Sequence, residues 1–299
     1  MKNLKTIAAF DIGGTTLKMG LVSSEGNIIQ HEKITIPNFD GELILAGISE
    51  YTKKHDVAGV AISAPGYINP KTGFITMGGA IRAFDNFPLR EYLEEKTGLP
   101  VTVENDANCV ALCEKWVGGA QDLENFLCMT IGTGIGGGIF IDGKLYSGSR
   151  FRAGEFGYLF SDRPGSYEPG RYTMNQTTTM LVLRRQYAAH KGKNLNEVTG
   201  EEIFAAYDSH DPIAKKLIHD FYNGLCAGLY NLIYCFDPSH IFIGGGITDR
   251  STFLAELKHH MAFFGLRDTE LEIVTNKNQA GLLGAVYHHL SRVQRVCNP

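Results

Sequence analysis

The sequence predicts an α/β protein built from two domains, and three observations carry that prediction. The chain has 299 residues, more than the roughly 100 to 200 of an ordinary single domain. Short β-branched runs ending in glycine turns alternate with amphipathic helical stretches. The opening order of strand, Gly/Thr turn and strand starts over near residue 126, as an internal duplication would. With 43% hydrophobic residues and 35 glycines, the chain can fill its cores and turn tightly, leaving little room for disorder.

Lys5 to Asp11 is β-rich, Gly13-Gly14 bends the chain, and Leu17 to Val22 alternates again. A third strand, Ile28 to Ile36, follows the turn at Ser24-Glu25-Gly26-Asn27. "VAGVAISAPGYI" (57 to 68) reads as a buried strand ending at Pro65-Gly66, and "PLREYLEEKTGLP" (88 to 100) as a helix stopped by Gly98 and Pro100. "VTVENDANCVALCEKWVGGA" gives a strand, a polar turn at Glu104 to Asn108, and a helix ending at Gly118-Gly119, where the domain boundary belongs.

The second half opens with "FLCMTIGTGIGGGIFIDGKLYSG" (126 to 148), again strand, turn and strand, with Asp142-Gly143 as a hairpin turn. Helices are expected at about 173 to 192, 201 to 208 and 212 to 236. The strand 240 to 247, a helix near 251 to 263, the strand 271 to 276 and a last helix from about Gly281 to Val296 complete the chain.

A net charge of −4, without a long Lys/Arg block, argues against nucleic-acid or anionic-membrane partners and for small-molecule chemistry. Met1 to Phe10 shows no signal-peptide pattern, and no run reaches the ~18 apolar residues of a membrane span, so a cytoplasmic protein is expected. The six cysteines, Cys109, Cys113, Cys128, Cys226, Cys235 and Cys297, form no CxxC pair and read as reduced, mostly buried thiols.

Four stretches carry chemistry. In "DIGGTT", the amides of Gly13 and Gly14 and the hydroxyls of Thr15 and Thr16 could hold phosphate beside Asp11; a plain hairpin turn would also explain them. The motif lacks the Gly-Lys-Ser/Thr of a P-loop. "GTGIGG" from Gly132, with Thr133 and Gly134, formally contains GxGxxG, but it continues as a strand where a dinucleotide site needs a helix.

Glu104 to Asn108 packs two carboxylates and two amides before a helix. Asn105 or Asp106 could cap that helix, or an acid there could take a proton from a hydroxyl nucleophile. "FRAGEFGYLF" places Glu155 in an apolar run, where a polyol ligand or an internal partner would satisfy it. Gly244, Gly245 and Gly246 allow close approach of a flat or charged ligand, or simply a strand-to-helix turn.

Taken together, these stretches resemble the ROK family of sugar kinases, which includes glucokinases, N-acetylmannosamine kinases and β-glucoside kinases, within the actin/hexokinase/Hsp70 ATPase superfamily. The resemblance spans nearly the whole chain. It implies two ribonuclease-H-like, actin-like ATPase lobes with a cleft between them: a small lobe of residues 1–118 completed by the helix 281–299, and a large lobe of 119–280. It implies ATP and Mg²⁺ as cofactors, Asp106 as general base on the sugar hydroxyl, and Asn105 and Glu155 on sugar hydroxyls. Asp11 would orient Mg²⁺ through water, Gly13, Gly14, Thr15, Thr16, Gly132, Thr133 and Gly134 would surround the phosphates, and Gly244 to Gly246 the adenosine. By the same resemblance the protein would be a homodimer.

The departures fall around the sugar. Many family members carry a histidine three residues after the sugar-binding glutamate, then a cysteine-rich zinc loop; here that position is Tyr158, and residues 161 to 175 hold no cysteine or histidine. No zinc site is expected, and Tyr158 would replace a contact on the C1/C2 side of the sugar. Glu168, Thr173 and Asn175 are candidates for the family's second sugar-binding glutamate, and Ala80 stands where many members have asparagine. A β-glucoside, N-acetylmannosamine and glucose are the acceptors weighed. The alternative is a catalytically weak or silent ROK-type sugar-binding regulator, without the DNA-binding domain of the family's repressors; an acetate-kinase-like or chaperone-type ATPase would share the core but not "ENDAN" and "GEFGY".

Overall fold

The computed structural model describes residues 5–163, 168–265 and 268–297, the side chains of 294–297 excepted. The side chain of Cys297 and residues 164–167 of the loop weighed for zinc lie outside the described residues.

The first half runs β1 (Thr6–Ile12), β2 (Thr16–Ser23), β3 (Ile28–Thr35), α1 (Gly41–Lys53), β4 (Val60–Ala64), β5 (Tyr67–Asn69), β6 (Phe74–Met77), α2 (Leu89–Thr97), β7 (Val101–Asn105) and α3 (Asp106–Val117). The second runs β8 (Phe126–Ile131), β9 (Ile135–Ile141), β10 (Lys144–Leu145), α4 (Met174–Thr177), α5 (Met180–Lys191), α6 (Gly200–Asp208) and α7 (Pro212–Phe236). It ends with β11 (His240–Gly244), α8 (Phe253–Ala262), β12 (Glu270–Ile273) and α9 (Ala280–Cys297).

The main sheets have the orders β3-β2-β1-β4-β7 and β10-β9-β8-β11-β12. Counted within each sheet, the strand order is the same, so the repeat visible in sequence is a repeat of topology. In the first sheet β1 is antiparallel to β2 and parallel to β4, and β4 is parallel to β7. Strand β4 is buried along its whole length, as its unbroken apolar run requires of an inner parallel strand. Strand β3 lies at the sheet edge and exposes His31, Glu32 and Lys33, which discourage pairing with another chain. Among the described residues no helix is long and apolar enough to cross a membrane.

Two local expectations change and one is met. Helix α1 was not among the expected elements, although Asp40 caps it by accepting the N–H groups of Glu42 and Leu43 at 3.0 and 3.1 Å. The buried strand expected to end at Pro65-Gly66 does so: β4 stops at Ala64, Gly66 has φ +99°, and the short strand β5 follows. The helix expected over 173 to 192 is interrupted at Thr178-Thr179; Thr179 is extended and caps α5 by accepting the Val182 N–H at 3.2 Å.

By contact density the chain divides into two compact units, one of Met1–Glu124, Gly138–Ala153 and Val274–Pro299, the other of Asn125–Gly137 and Gly154–Ile273. The sequence-based bounds did not group 138–153 with the first unit. The reason is a packing detail: a Cβ on Gly138 would come within 2.6 Å of the Ala111 methyl, so bare glycine lets β9 lie on α3. Helix α9 joins the first unit by equally close packing against α3, since a Cβ on Gly284 would fall 1.7 Å from the Cys109 carbonyl oxygen.

Cys109, Cys113, Cys128 and Cys226 are buried free thiols, and Cys235 is an exposed one. Buried His289 on α9 has Nδ1 3.1 Å from Thr102 Oγ1, and burial lowers its pKa to about 4. Its folded pKa lies below the unfolded value of ~6.5, so the stability it contributes is complete above that pH and is lost as pH falls toward 4. Urea titrations at pH 7 and 4.5 should show wild type losing on the order of 2–3 kcal/mol more than His289→Gln. Equal losses would assign the acid sensitivity to other groups.

Candidate active site

In the first unit, Asp11 lies one residue before the end of the inner strand β1 and sits opposite Lys18 in the β1–β2 register. Lys18 Nζ donates to Asp11 Oδ2 at 2.9 Å and to the Asn278 carbonyl at 3.0 Å, while Ser63 Oγ donates to Oδ1 at 2.8 Å. A Cβ on Gly281, in the first turn of α9, would lie 2.5 Å from Asp11 Oδ1. That glycine therefore lets the carboxylate reach the positive end of an 18-residue helix.

The β1–β2 turn is a tight hairpin in which the Gly13 N–H donates to the Thr16 carbonyl at 2.8 Å. The hairpin reading of "DIGGTT" is met: Gly13 closes the turn, leaving Gly14 and exposed Thr15 at its tip. The Ile36 N–H donates to the Thr15 carbonyl at 2.8 Å, and the Phe39 ring backs Gly14, where a Cβ would come within 3.0 Å of it.

Strand β7 delivers Glu104, Asn105 and Asp106 to the start of α3. Asn105 is the helix cap: its Oδ1 accepts the N–H groups of Ala107 and Asn108 at 3.0 and 3.1 Å. Its Nδ2 donates to the Gly66 carbonyl at 3.1 Å, and the same side chain hydrogen-bonds the Asp106 carboxylate. Buried Glu104 accepts the Asn105 N–H at 2.8 Å and Asn108 Nδ2 at 3.0 Å, with His288 Nδ1 3.6 Å from its other oxygen. Burial raises its pKa. Asp106 is half-buried. Desolvation pushes its pKa up to about 6, the Ala107 N–H opposes this, and the negative charge of Asp11 adds to the rise.

In the second unit, the turn between β8 and β9 exposes Thr133 and Gly134, and the Gly132 N–H folds back to the Gly134 carbonyl at 2.9 Å. Gly132, Thr133, Gly246 and Ile247 line one side of a pocket of about 710 Å³, with Met180, Arg184, Phe204 and Arg250 among its other walls. That volume suits a nucleotide-sized ligand. Arg250 is held rigid: its NH1 and NH2 donate to the two Asp208 oxygens at 2.9 and 2.7 Å, its NH2 also donates to Glu256 at 2.6 Å, and its guanidinium lies 4.8 Å from the Phe204 ring centre.

The three glycines after β11 divide. Gly244 is buried in the strand, and Gly245 has φ +101° with no room for a Cβ, which would sit 2.1 Å from the Ile131 carbonyl oxygen. Gly246 lines the pocket and has open space around its Cα.

Glu155 is half-buried, less enclosed than its apolar neighbours in sequence suggested, and leads a 3-10 turn, Phe156–Tyr158, that leaves Tyr158 57% exposed. Of the candidates for a second sugar-binding acid, Glu168 pairs with Arg171 at the surface, Thr173 Oγ1 donates to the Gly170 carbonyl at 2.9 Å, and Asn175 Oδ1 accepts the Ile135 N–H at 2.8 Å. Their hydrogen bonds are local to the protein.

Sequence reasoning overlooked Lys18, Ser63, Gly281, Arg250 and the bracing role of Glu104. Lys18 had a signal, since in a two-residue hairpin the register places it opposite Asp11. Glu104 lies within the motif itself and bonds its neighbours Asn105 and Asn108, whereas Ser63, Gly281 and Arg250 come from distant segments and had none.

Among the described residues, no group of three or more His, Cys, Asp or Glu could hold a metal ion by itself. The residues present do fit a cation carried by phosphates. Asp11 offers carboxylate lone pairs beyond those used by Lys18 and Ser63, and Mg²⁺ keeps most of its waters and takes one or two protein carboxylates.

The sequence profile of the ROK family matches residues 7–291. The chain belongs to the ROK family. A β-glucoside kinase of Listeria innocua is 67% identical to it over 290 residues, covering 97% of this chain and 99% of its own. A solved structure from Listeria monocytogenes, described as a provisional N-acetylmannosamine kinase, is 66% identical with a TM-score of 0.93, covering 96% of this chain and 99% of its own. A ROK glucokinase of Streptomyces griseus, solved with glucose and AMPPNP, is 28% identical with a TM-score of 0.80, covering 94% of this chain and 98% of its own. This ROK protein is accordingly an enzyme of the sugar-kinase class with the actin-like ATPase fold.

Proposed function

We propose that this ROK protein transfers the γ-phosphate of ATP to a hydroxyl of a β-glucoside, with Asp106 as the general base. The observation that carries the mechanism is the half-buried carboxylate at the start of α3 with its pKa pushed up to about 6. A base works best when its pKa lies near the working pH, because it is then mostly ionised and still accepts a proton readily. Asp106 takes the acceptor's hydroxyl proton as that oxygen bonds to the γ-phosphorus and the bond from phosphorus to the ADP oxygen breaks.

Asn105 supports the base by capping α3 and by hydrogen-bonding the Asp106 carboxylate, and would contact an acceptor hydroxyl. The hairpin tip at Gly14-Thr15-Thr16 and the turn Gly132-Thr133-Gly134 supply backbone N–H groups for phosphate oxygens, and the pocket bounded by Gly246, Phe204 and Arg250 takes the nucleoside. A bound Mg²⁺ would neutralise charge on the phosphates, with Asp11 orienting its water shell and Lys18 and Ser63 fixing Asp11.

The acceptor class rests on the Listeria innocua relative, a β-glucoside kinase at 67% identity. A second reading, N-acetylmannosamine, is favoured by the description of the Listeria monocytogenes structure. Exposed Tyr158, in place of a zinc-held histidine, suits a substituent at C1 or C2 in either case. ADP release should be followed with cellobiose, gentiobiose, glucose, mannose, N-acetylmannosamine and N-acetylglucosamine. The expected result is a kcat/KM for cellobiose or gentiobiose at least tenfold above the others, and dominance of N-acetylmannosamine would replace the acceptor class. If no acceptor stimulates turnover while ATP binds, the sugar-binding regulator becomes the better reading.

A further inference from the structure

Asn175 sits on α4 between two segments of the second unit that the proposed reaction uses for different ligands. Its Oδ1 accepts the N–H of Ile135, the first residue after the Gly132-Thr133-Gly134 turn, at 2.8 Å, and lies 3.4 Å from where a Cβ on Gly134 would be. The same carboxamide lies flat on Gly157, where a Cβ would come within 2.3 Å of both Nδ2 and Oδ1. Gly157 is the middle of the Phe156–Tyr158 turn that follows Glu155.

Backbone bonds extend this connection on both sides. The Met174 N–H donates to the Leu159 carbonyl at 2.8 Å, and the Met180 N–H donates to the Gly132 carbonyl at 3.1 Å. One short stretch, 174 to 180, thus holds the end of the Glu155–Tyr158 segment and the start of the β8–β9 turn, and Asn175 touches both.

We propose that Asn175 is a positioning residue that couples acceptor binding to nucleotide binding. The inference rests on the reading above, in which residues 132 to 134 meet phosphate and Glu155 and Tyr158 meet the acceptor. A glycine turn exposed to solvent has many accessible conformations, and a ligand that orders it must offset that entropy. An acceptor that fixes the Glu155–Tyr158 turn also fixes Gly157, hence the carboxamide on it, hence the Ile135 N–H. The nucleotide then meets a turn already ordered. Linkage makes the effect reciprocal.

The test is equilibrium binding of AMPPNP by calorimetry, with and without saturating acceptor, to wild type, Asn175→Ala and Asn175→Asp. Wild type should bind AMPPNP at least fivefold more tightly when acceptor is present, the lower end of ordinary coupling. Asn175→Ala should bring that factor to within about twofold of unity while each ligand alone binds within about threefold of wild type. Asn175→Asp keeps an oxygen for the Ile135 N–H and should retain coupling.

Unchanged coupling in Asn175→Ala, absent coupling in wild type, or lost coupling in Asn175→Asp would each overturn the proposal. Loss of acceptor binding by itself in Asn175→Ala would do so too, because Asn175 would then be a direct ligand. Should Asn175→Ala fail to fold, Gly157→Ala decides: its methyl would push the carboxamide aside, and intact coupling there rejects the idea. Failure of wild type to bind AMPPNP or any acceptor would instead remove the functional reading.

Discussion

Asp106→Asn should lower kcat by roughly 10²- to 10⁴-fold, the range a positioned general base supplies, and should leave the protein as stable as wild type or more so. The second half follows from the sign of the pKa shift. The folded-state pKa, about 6, lies above the unfolded value of ~3.9. Ionising Asp106 therefore disfavours the folded state, and stability present at low pH is lost as pH rises from about 4 through about 6. At pH 7 that cost is on the order of 1–3 kcal/mol, the lower figure allowing for solvent screening of a half-buried group.

Asparagine removes the charge and keeps the shape, so urea unfolding at pH 7 should show an unchanged or raised midpoint beside the lost turnover. That combination separates lost chemistry from lost folding, and near-wild-type turnover in a folded variant would exclude Asp106 as the base. In the wild type, kcat/KM should fall tenfold per pH unit below about 6, as Asp106 becomes protonated. A profile flat down to pH 4.5 would contradict the assignment.

Gly281→Ala should cost turnover strongly although Gly281 has no chemical role in the reaction. The added methyl would occupy a point 2.5 Å from Asp11 Oδ1, so either the carboxylate or the first turn of α9 must move. Either movement pulls Asp11 from Lys18 and Ser63, which hold it at 2.9 and 2.8 Å. Displacing a catalytic constellation by ~1 Å can cost about 100-fold in rate, and overpacking of this kind costs about 1–3 kcal/mol of stability. The expected outcome is a folded protein with kcat reduced roughly 10- to 100-fold and a weakened response to added Mg²⁺. Wild-type kinetics would show that the position of Asp11 against α9 does not matter to turnover.

These two residues also mark the boundary of what could be read from sequence. Asp106 was legible because its motif is local: a β-rich run, an Asx turn and a helix within a few residues fix where the side chain goes. For the same reason the strands and the repeat of topology were visible, since periodicity and turn chemistry act over short stretches. Gly281 had no such signal, because its meaning depends on Asp11, which is remote in sequence and becomes its neighbour when α9 packs on the first sheet.

Helix α1 shows a different limit. Its cap at Asp40 was present in the sequence, but Gly41 and Gly47 weaken its propensity, and burial of Ile44 and Ile48 against the sheet is what stabilises it. Asn105 shows a third, because only its bonds to Ala107, Asn108 and Gly66 reveal that one side chain both caps α3 and ties it to the turn after β4.

The sequence by itself determined the α/β class, the order of most elements, the duplicated pattern and the motifs that point to phosphoryl transfer, all of which are encoded by neighbouring residues. Tertiary structure alone decided which units the segments 138–153 and 274–280 join, what braces Asp11, which glycine after β11 faces the pocket, and that Asn175 touches both the β8–β9 turn and Gly157. The physical reason is the same throughout: these features depend on close approach between segments remote in sequence, where a missing Cβ or a single hydrogen bond sets the geometry.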